Sequence, residues 1–291
     1  MIGPDSSDAA LCLPPRPLSR LPRQRLPVGT VDTHFHVFEA GAPLNIPRSY
    51  TPQLLTLADW LGFADAVGVA RGILVQPSVY GFDNSVLLRA LAAAPGRLRG
   101  IVVIDPALPE TELLRLDRLG IRGVRINTRN KGGLPLAAVE ALAKRLAPLG
   151  WSLQFQVLPQ QLREIGAELR LLPTPVVIDH LGFLPVDSGD TAGFVRDLQQ
   201  LLDGGNCYAK LSAPYRLTKS PEFEGFGAIA ATLLGSHPER LLWGSDWPHT
   251  ELWSNVPDDA ELIDRMSDWL GGETTRRQVF VTSANDLFFS R

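Results

Sequence analysis

Two histidines separated by one residue end the first strongly apolar segment of the chain, Val31-Asp32-Thr33-His34-Phe35-His36. In an extended strand, side chains two residues apart point to the same side, so we expect the imidazoles of His34 and His36 to face one point. Neutral imidazoles bind Zn²⁺ or Mn²⁺. Imidazoles that present an N–H group to a substrate polarise its carbonyl group instead. The pair therefore predicts a metal-binding or electrophilic site at the end of a strand.

Two further residues follow later apolar segments and could complete such a site. His180 follows the segment at residues 175–179, and Asp246 lies between two tryptophans just after the segment at residues 241–244. A carboxylate beside imidazoles can act as a general base that takes a proton from water. Apolar neighbours lower the local dielectric constant and strengthen the electrostatic interactions of such a group. The expected catalytic residues are Asp246, His34, His36 and His180.

Three arginines also lie at or just after the ends of apolar segments. Arg125 lies near the end of the predicted fourth strand with Arg129 close behind, and Arg216 follows the seventh. Because guanidinium groups form bidentate hydrogen bonds with carboxylates, the arginines predict an anionic substrate that carries a carboxylate. Polar side chains in the loops after strands one and two and at the end of strand five are further expected substrate contacts; these are Tyr50, Ser78 and Gln156.

The segments that position these residues alternate regularly between strand and helix patterns. The strand segments are nearly continuous in Val, Ile and Leu, which is typical of a parallel sheet buried on both faces. Eight strands, each followed by a helix, predict a (β/α)₈ TIM barrel of class α/β, whose active site lies at the carboxyl ends of the strands. A doubly wound sheet also alternates, but no G-x-G-x-x-G follows the first strand. The predicted strands cover residues 30–34, 72–76, 100–104, 123–126, 152–157, 175–179, 207–211 and 241–244.

A single barrel domain is predicted over residues 30–291, preceded by an irregular N-terminal arm at residues 1–29. The arm is rich in proline and arginine and lacks the apolar segment of a signal peptide. We expect it to be an arm or a partly disordered lead-in. The predicted helices cover residues 54–67, 85–94, 110–119, 136–149, 160–172, 193–202, 223–234 and 258–270.

The composition argues against several other classes of protein. The net charge of −3 disfavours nucleic acid and anionic membranes as partners, since both select a basic surface. Two cysteines provide no disulfide framework, which favours a reducing, cytoplasmic compartment. No apolar run reaches the roughly 18 residues that a membrane helix needs. The sequence does not indicate an oligomeric state.

The chain resembles the amidohydrolase superfamily, and within it the branch of 2-pyrone-4,6-dicarboxylate lactonase and related sugar-lactone hydrolases. The resemblance covers nearly everything from Val31 to the C-terminus. The His-x-His pair and the final aspartate are typical of the superfamily, whereas Asp179-His180-Leu181-Gly182 and Gly244-Ser245-Asp246-Trp247-Pro248-His249 are typical of the branch. The other matching segments are Arg48-Ser49-Tyr50-Thr51-Pro52, Val75-Gln76-Pro77-Ser78 and Gly123-Val124-Arg125.

The resemblance implies a role for each of these residues. Asp246 would activate the hydrolytic water, while the three imidazoles would polarise the lactone carbonyl and stabilise the tetrahedral intermediate. Arg125 would anchor one substrate carboxylate. The implied reaction opens a carboxylated lactone, most specifically 2-pyrone-4,6-dicarboxylate, in the degradation of aromatic acids. The other implied substrate contacts are Arg129 (or Lys131), Arg216, Tyr50 and Ser78.

The chain departs from many superfamily members on two strands. Those members carry a carboxylated lysine on strand four and a histidine on strand five, where this chain has Arg125, Gln154 and Gln156. We therefore expect no binuclear site and no required metal, since cationic side chains can supply the electrophilic assistance of a metal. A single divalent ion, Zn²⁺ or Mn²⁺, would be weakly held. Its ligands would be His34, His36, His180 and Asp246.

Three other functions stay open. One is a hydrolase or isomerase of aldonic or aldaric acid lactones, which would need fewer arginines. Another is a metal-dependent decarboxylase of aromatic acids, which shares the barrel and the His-x-His pair but should hold its ion firmly. A non-catalytic binding barrel is disfavoured because every expected catalytic position is filled. In the preferred interpretation, the partner is a small anionic lactone.

Overall fold

The computed structural model describes residues 9–131, 133–187 and 189–290, and these fold into a (β/α)₈ barrel. The eight strands are parallel, and each pairs with the next along the chain. This architecture confirms the predicted TIM barrel. The strands are β1 (Val31–Phe35), β2 (Arg71–Val75), β3 (Leu98–Val102), β4 (Ile121–Asn127), β5 (Ser152–Gln156), β6 (Val176–Ile178), β7 (Cys207–Leu211) and β8 (Leu241–Trp243).

Within the described residues, one α-helix follows each strand, and two more follow the eighth. The first begins at residue 57 rather than the predicted 54 because Thr56 forms a capping box with Asp59. The last two helices have no counterpart in the prediction. The helices are α1 (Leu57–Val67), α2 (Ser85–Ala93), α3 (Glu110–Arg118), α4 (Val139–Leu146), α5 (Pro159–Leu169), α6 (Thr191–Asp203), α7 (Glu224–Ser236), α8 (Asp259–Leu270), α9 (Glu273–Arg277) and α10 (Ser283–Phe288).

The lower half of the barrel has an apolar core that the last helix covers. Leu287 and Phe288 of α10 pack against side chains from several strands. The apolar layer excludes water from the amino ends of the strands, so polar chemistry is confined to their carboxyl ends. The strand residues of this layer are Val31, Ile73, Val75, Ile101, Val177 and Leu242.

Backbone hydrogen bonds close the barrel between the ends of β1 and β8. The N–H of Asp246 donates to the carbonyl of His34 at 2.9 Å, and the N–H of His36 donates to the carbonyl of Trp247 at 2.9 Å. Below them, the hydroxyl of Thr33 donates to the carbonyl of Trp243 at 2.7 Å. The closure thus places the carboxylate of Asp246 beside the two histidines of β1.

A buried carboxylate reinforces this closure. Asp32 accepts hydrogen bonds from the backbone N–H and the hydroxyl of Ser245, at 2.9 and 2.6 Å, and from the indole N–H of Trp60 at 3.3 Å. Burial raises the pKa of Asp32 to about 6 although these donors lower it. Asp32 therefore ties β1 to the β8 loop and to α1.

The described part of the N-terminal arm lies on the barrel. The N–H of Cys12 donates to the carbonyl of Thr51 at 2.8 Å, and the N–H of Leu13 donates to the carbonyl of Leu252 at 2.9 Å. These bonds connect the loop after β1 to the loop after β8. Residues 1–8 of the predicted arm lie outside the described residues.

None of the helices in the described ranges is both long enough and apolar enough to cross a membrane.

Replacing Gly244 by alanine should disturb the closure. The added Cβ would lie 2.8 Å from Cβ of His34 and 3.1 Å from its backbone N, so β1 and β8 would have to separate. We expect a loss of about 1–3 kcal/mol in the free energy of unfolding, measured by chemical denaturation. Gly62→Ala in α1, which meets no atom within 4 Å, is the control and should stabilise by about 0.5–1 kcal/mol. Equal stability of the two variants would contradict this interpretation.

Candidate active site

A small cavity opens among the loops at the carboxyl ends of the strands. Its free volume is about 20 Å³, which is about the space that one water molecule needs. Polar and charged side chains form nearly all of its wall. The lining residues are His36, Tyr50, Ser78, Arg125, Asn127, Asn130, Gln156, His180, Arg216, Asp246, Thr250 and Glu251.

One oxygen of the Asp246 carboxylate accepts hydrogen bonds from its neighbours, and the other faces two histidines. Its Oδ2 accepts hydrogen bonds from the hydroxyl of Tyr215 at 2.5 Å and from Nε of Arg216 at 2.8 Å. Its Oδ1 faces the Nε2 atoms of His34 and His180, each 3.7 Å away. Burial alone would raise the pKa of Asp246, but the Arg216 guanidinium holds it well below its usual range. The carboxylate is therefore ionised, with one oxygen directed at the imidazoles.

Beneath the cavity, His34 contacts a buried ion pair. Nζ of Lys210, on β7, lies 3.0 Å from Oδ1 of Asp179 and 3.1 Å from Nδ1 of His34. Oδ1 of Asp179 lies 3.2 Å from the same Nδ1. Two tautomers satisfy these contacts. If Lys210 donates to Nδ1, then Nε2 of His34 carries a proton toward Asp246; if Nδ1 donates to Asp179, then Nε2 presents a lone pair.

The other two imidazoles are also fixed through Nδ1. Nδ1 of His36 donates to the carbonyl of Val75 at 2.7 Å, so Nε2 of the neutral ring is an acceptor. Nδ1 of His180 lies 2.8 Å from the hydroxyl of Ser212. Burial lowers the pKa of His36 to about 3 and that of His180 to about 4, and it lowers the pKa of His34 as well. All three rings are therefore neutral at pH 7.

Two of these histidines and Asp246 could together bind a single divalent metal ion. Ligand atoms of His34, His180 and Asp246 all lie within 4.8 Å of one another, and Nε2 of His34 is buried with no hydrogen-bond partner among the described residues. Imidazole nitrogens and a carboxylate oxygen are common ligands of Zn²⁺. The site thus offers two chemistries from the same side chains, metal binding or hydrogen-bond donation from Nε2 of His34.

Arg125 is buried on the β4 side of the cavity and is held by three groups. It donates to the carbonyl of Gln76 at 3.0 Å and to the side-chain oxygen of Gln156, and it lies 3.6 Å from Oδ2 of Asp179. This support fixes the guanidinium plane next to the cavity. A substrate carboxylate would meet a positioned cation there.

The loop after β4 brings a second cationic group to the rim. The side-chain oxygen of Asn127 accepts hydrogen bonds from the N–H groups of Arg129 and Asn130, both at 3.0 Å, which folds the loop into a tight turn. Arg129 then lies over the ring of Phe183 and donates to the carboxylate of Glu251 at 2.5 Å. Asn130 donates to the same carboxylate. Arg129 therefore contacts Glu251, which lines the cavity, but does not line the cavity itself.

The structure brings most of the predicted site residues together. The catalytic candidates Asp246, His36 and His180 line the cavity, and His34 lies directly behind them. Arg129 is not among the lining residues. The substrate-contact candidates that line the cavity are Arg125, Arg216, Tyr50, Ser78 and Gln156.

The prediction gave no site role to Asp179, Lys210, Tyr215 or Glu251, which lie in or beneath the site. Lys210 had a usable signal, because a lysine in the otherwise apolar strand Cys207–Leu211 must find a buried partner. Tyr215 follows the same strand, next to the predicted Arg216. Glu251 gave no signal, since it lies in a loop whose path the sequence does not indicate.

The buried histidines should make the protein less stable as the pH falls. Unfolded histidines bind protons below about pH 6.5, whereas the native rings do not, so the free energy of unfolding should fall between pH 6.5 and 4. Asp32 acts in the opposite direction, because its native pKa of about 6 lies above the unfolded value. Because three histidines lower the free energy of unfolding on acidification and one carboxyl raises it, the net change is a decrease. Chemical denaturation between pH 7.5 and 5 measures it, and constant or rising stability on acidification would contradict neutral rings.

Comparisons with known proteins agree with this geometry. A sequence profile described as amidohydrolase matches residues 31–289. The chain is 33% identical, over 84% of both chains, to a 2-pyrone-4,6-dicarboxylate hydrolase from Comamonas testosteroni. It is 30% identical, over 99% of both chains, to a 4-sulfomuconolactone hydrolase from Rhizobium radiobacter.

A solved structure from Pseudomonas putida, described as a candidate 2-pyrone-4,6-dicarboxylic acid hydrolase, is also similar. It superposes with a TM-score of 0.80 at 32% identity and covers 90% of this chain and 98% of the other. The profile match confirms the resemblance predicted from the sequence. This chain belongs to the amidohydrolase family.

Proposed function

We propose that this protein hydrolyses a carboxylated lactone, and that 2-pyrone-4,6-dicarboxylate is its substrate. One observation carries the proposal: an ionised aspartate, neutral imidazoles and positioned arginines share one cavity at the carboxyl ends of a barrel. Ester hydrolysis needs a base for water, a donor for the carbonyl oxygen and a site for the substrate's charge. The similarity to the Comamonas enzyme supports the choice of lactone.

Asp246 acts as the general base in this reaction. Its Oδ1 takes a proton from the water while the water oxygen bonds to the lactone carbonyl carbon. When the tetrahedral intermediate collapses, the ring C–O bond breaks and the proton passes to the departing oxygen. Because Arg216 stabilises the ionised carboxylate, Asp246 is a weak base in the free protein. A bound substrate carboxylate competes for that guanidinium and raises the basicity of Asp246.

Electrophilic assistance comes from the protonated side of the imidazoles, whereas Arg125 anchors a substrate carboxylate. The ammonium of Lys210 favours the tautomer of His34 whose Nε2–H points toward Oδ1 of Asp246. His180 can present the same group when Ser212 donates to its Nδ1. Donors already directed at the developing oxyanion lower its energy without reorganisation. His36, whose Nε2 accepts, positions the water rather than the carbonyl.

The charges around the cavity support a reaction without a required metal. Arg125 and Arg216 are fixed cations that line the cavity, and Lys210 is a third that lies beneath it. A single Zn²⁺ or Mn²⁺ ion would be held by His34, His180 and Asp246 and would polarise the carbonyl when bound. The expected fourth ligand, His36, is not part of this cluster. Strand β5 offers Gln154 and Gln156 where a histidine would strengthen such a site.

Asp246→Asn should abolish most turnover and leave the fold intact. Asparagine keeps the shape of the side chain but cannot take a proton, so kcat for the pyrone dicarboxylate should fall about 10²–10⁴-fold. Stopped-flow absorbance measures kcat, and thermal unfolding checks the fold. Asp197→Asn, on the surface beside Arg163, is the matched control. A kcat near that of the wild type would remove Asp246 from the role of base.

Arg125→Met should raise KM for the carboxylated lactone more than KM for neutral lactones. Loss of a charge-assisted hydrogen bond of about 1.5–3 kcal/mol should raise KM for the dicarboxylate about 10- to 100-fold, while a neutral sugar lactone should change much less. Steady-state kinetics on both lactones test this, with Arg163→Met on the surface as control. Equal losses on both would show that Arg125 is structural and would favour an aldonic or aldaric lactone.

A further inference from the structure

We propose that Glu251 is an internal competitor for a substrate carboxylate and sets the charge selectivity of the cavity. Its carboxylate occupies the anion-binding position beside Arg129 and Arg216, and it leaves when a dicarboxylate binds. The inference rests on the proposed function, because it concerns the recognition of an anion in the same cavity.

The contacts of Glu251 are those expected for a bound carboxylate. Its Oε2 accepts a hydrogen bond from Arg129 at 2.5 Å and lies 3.9 Å from NH1 of Arg216. Its Oε1 accepts a hydrogen bond from the side-chain amide of Asn130. Two guanidinium groups and an amide around one carboxylate are what a carboxylate-binding site requires. In this structure, a carboxylate of the chain itself fills that site.

The backbone around Glu251 is fixed, so only its side chain can leave. The N–H of Glu251 lies 3.2 Å from Sγ of Cys12 in the N-terminal arm. On either side, the carbonyl of Thr250 accepts from Arg216 at 2.7 Å and the carbonyl of Leu252 accepts from Leu13 at 2.9 Å. Glu251 itself has a φ of +59°, a conformation that is uncommon for a residue other than glycine and marks functional loops.

The size of the cavity requires a side chain to move. About 20 Å³ of free volume admits one water molecule, whereas a six-membered lactone ring with carboxylates is far larger. Glu251 lines the cavity, and the exposed fraction of its side chain is 13%, which leaves it a path to solvent. Arg125 and His180, by contrast, are buried and held from below. Displacement of Glu251 therefore opens the site with the least disruption.

The charge count leads to the same conclusion. Among the described residues that line the cavity, lie directly beneath it or pair with Glu251 at its rim, the cations exceed the anions by one while Glu251 is in place. With its carboxylate displaced into solvent, the excess rises to two, which matches a dicarboxylate. The cations are Arg125, Arg129, Arg216 and Lys210, and the anions are Asp179, Asp246 and Glu251.

Binding of two inert aromatic acids tests the inference. Isophthalate carries two carboxylates, and 3-carbamoylbenzoate replaces one of them by an amide of nearly the same shape. Removing the competing charge by Glu251→Gln should raise the preference for the dicarboxylate, expressed as the ratio of the two Kd values, about ten-fold, or about 1.4 kcal/mol. Titration calorimetry on the full chain measures both values. Glu140→Gln, whose exposed side chain pairs with Lys144, should leave the ratio unchanged.

Each outcome decides the question. A higher ratio in Glu251→Gln supports the competitor role, and Glu251→Ala gives the same readout should the glutamine variant misfold. An unchanged or lower ratio overturns the competitor role and indicates that Glu251 accepts hydrogen bonds from substrate hydroxyls instead. If the wild type still hydrolyses the pyrone dicarboxylate in that case, the proposed function stands. A wild type that binds neither acid and opens no carboxylated lactone would overturn both.

Discussion

The buried carboxylate of Asp179 is the group on which the rest of the site depends. It lies just beyond β6 and contacts Lys210 of β7, His34 of β1 and Arg125 of β4. An isolated charge at this depth would be prohibitively unstable, so each cation around it is both its counter-ion and a positioned part of the site. The amide of Gln154 on β5 completes its shell at 3.1 Å. The five strands are therefore linked by one buried charge network, and its member Arg125 lines the cavity.

This arrangement also explains how one fold can support two related chemistries. The network beneath His34 decides which of its nitrogens carries the proton, and thereby whether Nε2 donates a hydrogen bond or binds a metal. A nearby ammonium favours donation, whereas a carboxylate alone would favour a lone pair toward the cavity. In our account, Lys210 takes over the role that a metal ion plays elsewhere in the superfamily.

The sequence predicted the barrel and much of the site because the relevant signals are local. His34 lies near the end of an apolar strand, and His180 and Asp246 lie just after one. The carboxyl ends of the strands in a parallel barrel converge regardless of the path of the loops. Lys210 was missed because it lies within a strand, where periodicity predicts an apolar side chain. Glu251 could not be placed, because the β8 loop has positive φ angles at Asp246 and Glu251, and side-chain patterns do not encode such a path. Long-range charge pairing, unlike strand periodicity, appears only once the fold is known.

The most direct test of this account is turnover of 2-pyrone-4,6-dicarboxylate by protein stripped of metal with a chelator, followed as loss of the pyrone absorbance. Elemental analysis of the same sample verifies that the metal has been removed. We predict hydrolysis at an undiminished rate, because Asp246, the imidazoles and the fixed cations supply the base and the electrophile. Hydrolysis that returns only when Zn²⁺ or Mn²⁺ is restored would contradict the metal-free mechanism. No hydrolysis under either condition would contradict the proposed substrate.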